Sequence, residues 1–176
     1  MKERGKQSEP IPVFESLIRR GFVENILSTA RSNLLRDGHL STMLFLHLAH
    51  GERFFTPVTM PHIPEEKQAF FTFLGRAIQH ADHRVGEAVL LAESWIVMAD
   101  ENQTSLSGFP SQHPNRKEAI TVAGRDARNT NFVFAIQPFG RDQLNQPVFE
   151  TAVLEQFYEQ PDAQYYSTGL LDYLFY

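Results

Sequence analysis

Apolar positions along this chain follow two periods. Phe14, Leu17 and Ile18 keep helical spacing, and Phe22, Ile26, Ala30 and Leu34 recur every four residues, with Val23 and Leu27 widening the stripe. This predicts a helix over residues 14–36, divided or kinked at Gly21. Asp37-Gly38 ends it, because glycine suits the left-handed position after a helix. From His39 to Ala49 the period drops to two. Leu40, Leu44, Leu46 and Leu48 point one way, and His39, Ser41, Met43, Phe45 and His47 the other, which predicts a strand. His50–Arg53 reads as a turn and Phe54–Met60 as a returning strand. Pro57 cannot donate to a ladder, so that strand belongs at a sheet edge or ends early.

A second helix is expected over residues 65–82. Glu65 and Glu66 suit its N-terminus, and Phe70, Phe71, Phe73, Leu74, Ala77, Ile78 and Ala81 give it a wide apolar face. Gly86–Ala99 is apolar on both strand faces, the mark of an interior strand covered on both sides. Asp100–Asn115 reads as a long polar loop. Glu118–Ala123 and Phe132–Pro138 flank a polar turn and predict a hairpin. Val148, Ala152, Val153, Leu154 and Phe157 predict a short third helix over residues 148–158. The expected fold class is α+β: a single antiparallel or mixed sheet of about five strands with helices packed on it, in the order α-β-β-α-β-β-β-α. The expected organisation is a flexible lead at residues 1–12, one domain at 13–160 and an aromatic tail at 161–176.

This element order, over residues 14–158, loosely resembles the roadblock, longin and profilin-like architectures. That resemblance implies a small α+β fold used for protein docking, often as a dimer. The segments Asp37-Gly38-His39-Leu40, Ala92-Glu93-Ser94-Trp95 and His113-Pro114-Asn115-Arg116-Lys117-Glu118-Ala119 are similar to a pattern in small uncharacterised bacterial and phage-associated proteins. That second resemblance implies no activity.

Composition narrows the chemistry. The 176 residues fit one domain of roughly 100–200 residues. The 42% hydrophobic share, with 15 phenylalanines, supplies one packed core. Cysteine is absent, so disulfides, thiolate-held metals and thiol nucleophiles are excluded. No apolar run is long enough to span a membrane, and Met1–Pro12 has no apolar leader segment, so a cytoplasmic protein without membrane contact is expected. The net charge of −5 disfavours nucleic acid, whose binding depends on Lys and Arg neutralising phosphates. Glycine-rich phosphate loops, the Gly-x-Ser-x-Gly elbow and His-Glu-x-x-His are all missing, and no cofactor is expected.

The remaining chemistry is scattered. Glu93 stands among Val89, Leu91, Trp95 and Val97, where an ionised carboxylate must be paired, protonated or near the surface. It is a candidate general acid/base with His113 and Arg116; the structural alternative is an ion pair with Arg116, Arg76 or Lys117. His80 and His83, three apart near a helix end, could present two imidazoles to a metal; the alternative is cations placed at the helix's negative end. His47 and His50 share that spacing, but on a strand. Phe132 and Phe134, if exposed, could stack bases; the alternative is a core role.

All five tyrosines fall at or after position 158. Tyr165, Tyr166, Tyr173, Phe175 and Tyr176 are therefore candidate interface residues, docking on the chain's own core or on another copy. The function expected from these residues is a non-catalytic protein-binding or assembly module, partnered by a protein or by itself as a homo-oligomer. The alternatives are a small hydrolase or metal-assisted enzyme using Glu93 and His113, and a small-ligand or nucleic-acid binder.

Overall fold

A computed structural model describes residues 15–97, 110–128, 130–157 and 170–175. The lead at residues 1–12 and most of the Asp100–Asn115 loop lie outside that set. The chain is α+β: among the described residues one antiparallel sheet of seven strands carries helices on both faces. Helix α1 (Arg20–Asp37) is followed by β1 (Met43–Leu48), β2 (Arg53–Pro57), α2 (Pro64–His80), β3 (Val85–Ile96), β4 (Lys117–Asp126), β5 (Phe132–Arg141), β6 (Pro147–Phe149) and β7 (Val153–Phe157). The sheet order is β2-β1-β3-β4-β5-β6, with β7 also on β5. No helix among the described residues is long and apolar enough to cross a membrane.

Alternation along each strand sorts side chains to two cores. Val89, Leu91, Ile120, Val122, Val133, Ala135 and Phe139 face α1, which buries Val23, Ile26, Leu27, Ala30 and Leu34. Leu44, Leu46, Leu48, Ala88 and Leu90 face the other way, towards Phe71 of α2 and towards Leu171 and Leu174. Helix α1 starts at Arg20 rather than at residue 14: residues 15–19 are turn and coil, so the chain divides beside Gly21, the second residue of the helix. Gly38 caps the helix in the left-handed conformation (φ 76°), its N–H donating to Leu34 O at 2.9 Å, as Asp37-Gly38 predicts. Strand β3, twelve residues long, pairs with β1 and β4 and is covered on both faces, as its apolar run predicts.

One predicted element is corrected. The helix expected over residues 148–158 does not form: within residues 147–157, β6 and β7 pair with β5. The segment is short and satisfies either period, and the open side of β5 decides between them. Its two pieces act as one interrupted edge strand. Phe149 pairs with Phe139 and Val153 with Ile136, so three residues on the edge strand, Glu150–Ala152, oppose two on β5. That is a bulge. Fully buried Gln137 fills it, donating from Nε2 to Glu150 O at 2.5 Å and accepting from Arg31 Nη1 at 3.3 Å. The two extra strands bring the sheet to seven rather than about five.

The β4–β5 turn closes on Asp126, which is nearly buried. Burial alone would raise its pKa. Hydrogen bonds from Thr130 (N–H 2.8 Å, Oγ 2.7 Å) and Asn131 (Nδ2 2.8 Å) prevail and hold it below the usual aspartate range. A carboxyl depressed in the folded state stabilises above its unfolded pKa of about 3.9, and the benefit disappears as pH falls through the folded value. The stability gap between the parent and Asp126→Asn should therefore be widest near about pH 7 and shrink towards about pH 2. Urea titrations at both ends measure it, and a gap of constant size would refute the assignment.

Candidate functional site

Glu93 lies on the α1 face of β3, as its alternation requires, and its carboxylate is engaged. Oε2 accepts the Leu40 N–H at 3.1 Å, and Oε1 lies 3.6 Å from Arg141 Nη2. Arg141, on β5, reaches the same end of the sheet. Its Nε donates to Glu118 Oε2 at 2.9 Å and its Nη1 to Gly38 O at 3.3 Å. The expected pairing with Arg116, Arg76 or Lys117 is not what forms: Lys117 binds Glu150 at 2.8 Å, and Arg116 lies over the Trp95 ring, 4.5 Å from its centroid. Arg116 Nη1 also donates to Ser111 O. His113 accepts the Asn115 N–H on Nδ1 at 3.1 Å, and no hydrogen bond joins it to Glu93.

The same stripe carries a second carboxylate that sequence reasoning passed over. Glu87 accepts the Ser16 hydroxyl at 2.6 Å and the Leu17 N–H at 2.8 Å, with His47 Nδ1 at 3.3 Å. The Ser16 hydroxyl in turn accepts the Ile18 N–H at 3.3 Å. Leu17 precedes α1 and Leu40 follows it. Glu87 and Glu93 therefore tie both ends of α1 to β3, and the signal for this was the pair of carboxylates bounding Val89 and Leu91 at two-residue spacing. The arrangement is suited to holding backbone donors, since each carboxylate oxygen faces an N–H, a hydroxyl, an imidazole or a guanidinium.

The histidines pair differently from their sequence spacing. His80 is exposed in the last turn of α2. His83 stacks on His50, with ring centroids 4.8 Å apart, and His50 Nε2 lies 3.0 Å from Glu52. Among the described residues no three His, Asp or Glu side chains gather as a metal site, and no fully buried side-chain polar atom lacks a hydrogen-bond partner. His83 and Arg84 also border an open groove of about 820 Å³ floored by Ile78, Val85, Leu174 and Phe175; Asp82 stands beside them, so its rim favours neither sign of charge. Phe132 and Phe134 are buried and offer no ring to a base.

The aromatic tail divides. Tyr165, Tyr166 and Tyr176 lie outside the described residues. Leu170–Asp172 form a helical turn against the chain's own core, burying Leu171 and Leu174, with Tyr173 and Phe175 half-buried beside them. Buried Arg125 holds this segment from the sheet: it forms an ion pair with Asp172, and its guanidinium lies 4.8 Å from the Phe175 ring centroid.

Apolar side chains stay exposed elsewhere, among them Phe73 on α2, Val148 and Val153 on the β6–β7 edge, and both phenylalanines of β2. Every residue of β2 is exposed, Phe55 at 74% and Phe54 at 50%. Phe55 projects on the α1 face beside Phe45, with centroids 6.5 Å apart, and Phe54 on the α2 face opposite Leu46. Among the described residues β2 pairs only with β1. Leu48 N–H donates to Glu52 O and Val58 N–H to Thr42 O, so the backbone groups of positions 52, 54, 56 and 58 face β1. Those of Arg53, Phe55 and Pro57 face outward, and proline contributes no N–H. Comparison with protein-family models, with curated proteins and with solved structures finds no match for this chain.

Proposed function

We propose that this chain is a non-catalytic protein-binding and assembly module that docks through the outer edge of β2. The observation that carries this reading is the contrast between the two edges of the sheet. Edge strands are templates for further pairing, and proteins blunt them with bulges, charges and short strands. The β6–β7 edge carries such a bulge at Glu150–Ala152, with Glu155 beyond it. The β2 edge is uninterrupted over its five paired residues, whereas the opposite edge is broken between β6 and β7, and β2 presents an exposed phenylalanine on each face where that edge exposes the smaller Val148 and Val153. Adding a strand there would pair the Phe55 N–H and C=O and cover both rings.

The engagement of Glu93 and Glu87 by backbone donors supports the non-catalytic half of the proposal, since both carboxylates already act as anchors for α1.

The test is photo-crosslinking. Benzoylphenylalanine placed at position 55 should give a discrete adduct in cells. The same group at Leu144, which is 80% exposed but lies in the β5–β6 turn, should give none. No adduct at 55, or equal adducts at both positions, would overturn the reading.

A further inference from the structure

We infer that the partner of this edge is a second copy of the chain, paired antiparallel with β2 about a two-fold axis at Phe55. The inference rests on the docking-edge reading above and supplies its occupant.

Backbone complementarity comes first. An isologous contact requires one patch to complement itself. Among the described residues the Phe55 N–H and C=O have no partner, and both face outward. Set opposite its own copy, Phe55 exchanges both bonds, because a hydrogen-bonded antiparallel pair is reciprocal. The pairing also keeps charges apart. Arg53 then lies opposite the partner's Pro57, roughly 14 Å along the strands from the partner's Arg53. The Pro57 carbonyl already accepts the Thr56 hydroxyl at 3.2 Å, and proline has no N–H to offer, so the ladder is short and ends alike in both copies.

Side chains continue the same pattern. Phe22 meets Phe45 edge-on at 5.7 Å, and Phe45 meets Phe55 at 6.5 Å. This row of rings runs from α1 across the sheet and ends at the most exposed of the three, Phe55. A two-fold at Phe55 joins the row to its copy and makes six rings in line on one face. On the other face Phe54 falls beside the partner's Thr56, a close, non-hydrogen-bonded pair.

The opposite edge explains why association should stop at two. A free edge at both ends of a sheet permits head-to-tail stacking into open fibres. Here the bulge at Glu150–Ala152 interrupts the second edge, which disfavours head-to-tail stacking, whereas a β2–β2 contact about a two-fold closes on itself.

The chain has no cysteine, which makes the register directly readable. Single variants Phe55→Cys, Arg53→Cys and Leu144→Cys are oxidised at equal concentration and followed on non-reducing gels. A hydrogen-bonded antiparallel pair sets Cα atoms about 5.5 Å apart, within disulfide reach, so Phe55→Cys should cross-link at least about tenfold faster than the other two. Light scattering should give the parent twice its 20.2 kDa mass and give Phe55→Lys the single mass, with unchanged circular dichroism. A parent that stays at the single mass at every accessible concentration would overturn self-pairing, as would equal cross-linking at positions 53 and 55. Deleting residues 1–12 asks whether the chain's own lead occupies the edge: a monomeric parent that dimerises on deletion assigns the edge to the lead and sinks the inference. The two proposals fail separately. A position-55 photo-adduct of any mass other than that of two copies leaves the docking edge standing and removes its proposed occupant.

Discussion

Leu174→Ala should lower the unfolding free energy by about 2–5 kcal/mol, and Leu171→Ala by a similar amount. Both side chains are at most 1% exposed and pack with Phe71, Ala88 and Leu90, at the far end of the chain from any other cover for that core. A domain is stable by only about 5–15 kcal/mol, so either change removes a large share of the total. Gly75→Ala probes the same seat from the other side. A methyl group there would meet the Tyr173 carbonyl oxygen at 2.8 Å and the Leu174 backbone at 3.0 Å, and backbone cannot turn aside as a side chain can. Despite the gain in helix propensity, it should destabilise by about 1–3 kcal/mol. Denaturant unfolding measures all three. A loss below about 0.5 kcal/mol in both leucine variants would mean that residues 170–175 do not hold this core together in solution.

That seat shows where the sequence was readable and where it was not. Apolar density in the tail announced that it must dock, but its partner, Arg125, lies 47 positions from Asp172 and stands in a strand. Nothing local links the two. Glu93 divides in the same way into a legible feature and an illegible one. Its isolation on an apolar stripe required partners. Which partners formed depends on β5 lying beyond β4 and on the chain after Gly38 turning back towards β3, so Arg141 and the Leu40 N–H replace the nearer cations that spacing suggested. Features written in a few consecutive residues were read directly: the Gly38 cap, the two-sided run of β3 and the edge position forced by Pro57 on β2. Residues 148–158 failed because five apolar positions fit either period, and only the open edge of β5 selects the extended form.

Edge chemistry and core chemistry are coupled in this fold. Covering both faces of one sheet with α1, α2 and the C-terminal segment uses the apolar residues of the middle strands. Phe54 and Phe55 are left over because β1 already supplies the inner neighbours and no described helix reaches past it. An exposed apolar edge is a liability in an isolated domain. Its persistence beside a carefully bulged opposite edge is what makes self-pairing at β2 the economical reading.

Replacing Glu87 and Glu93 together should cost about 3–5 kcal/mol, divided between two separate anchors. Glu87→Ala leaves the Ser16 hydroxyl, the Leu17 N–H and His47 without their shared acceptor in a setting only 17% exposed, which is worth about 2–3 kcal/mol. Glu93→Ala strips the Leu40 N–H, but Arg141 retains Glu118, so about 1–2 kcal/mol is expected. Six strand residues separate the sites by roughly 20 Å, and effects that far apart add. Glutamine at either position keeps an oxygen acceptor and should recover more than half of each loss. Hydrogen exchange localises the effect. The Leu17 amide should lose protection in Glu87→Ala and the Leu40 amide in Glu93→Ala, each without the other, because each carboxylate holds one end of α1. If the glutamine variants fall as far as the alanine ones, the carboxylates are held for their charge rather than as acceptors for backbone donors. Glu93 would then have to be reconsidered as a chemical group instead of an anchor.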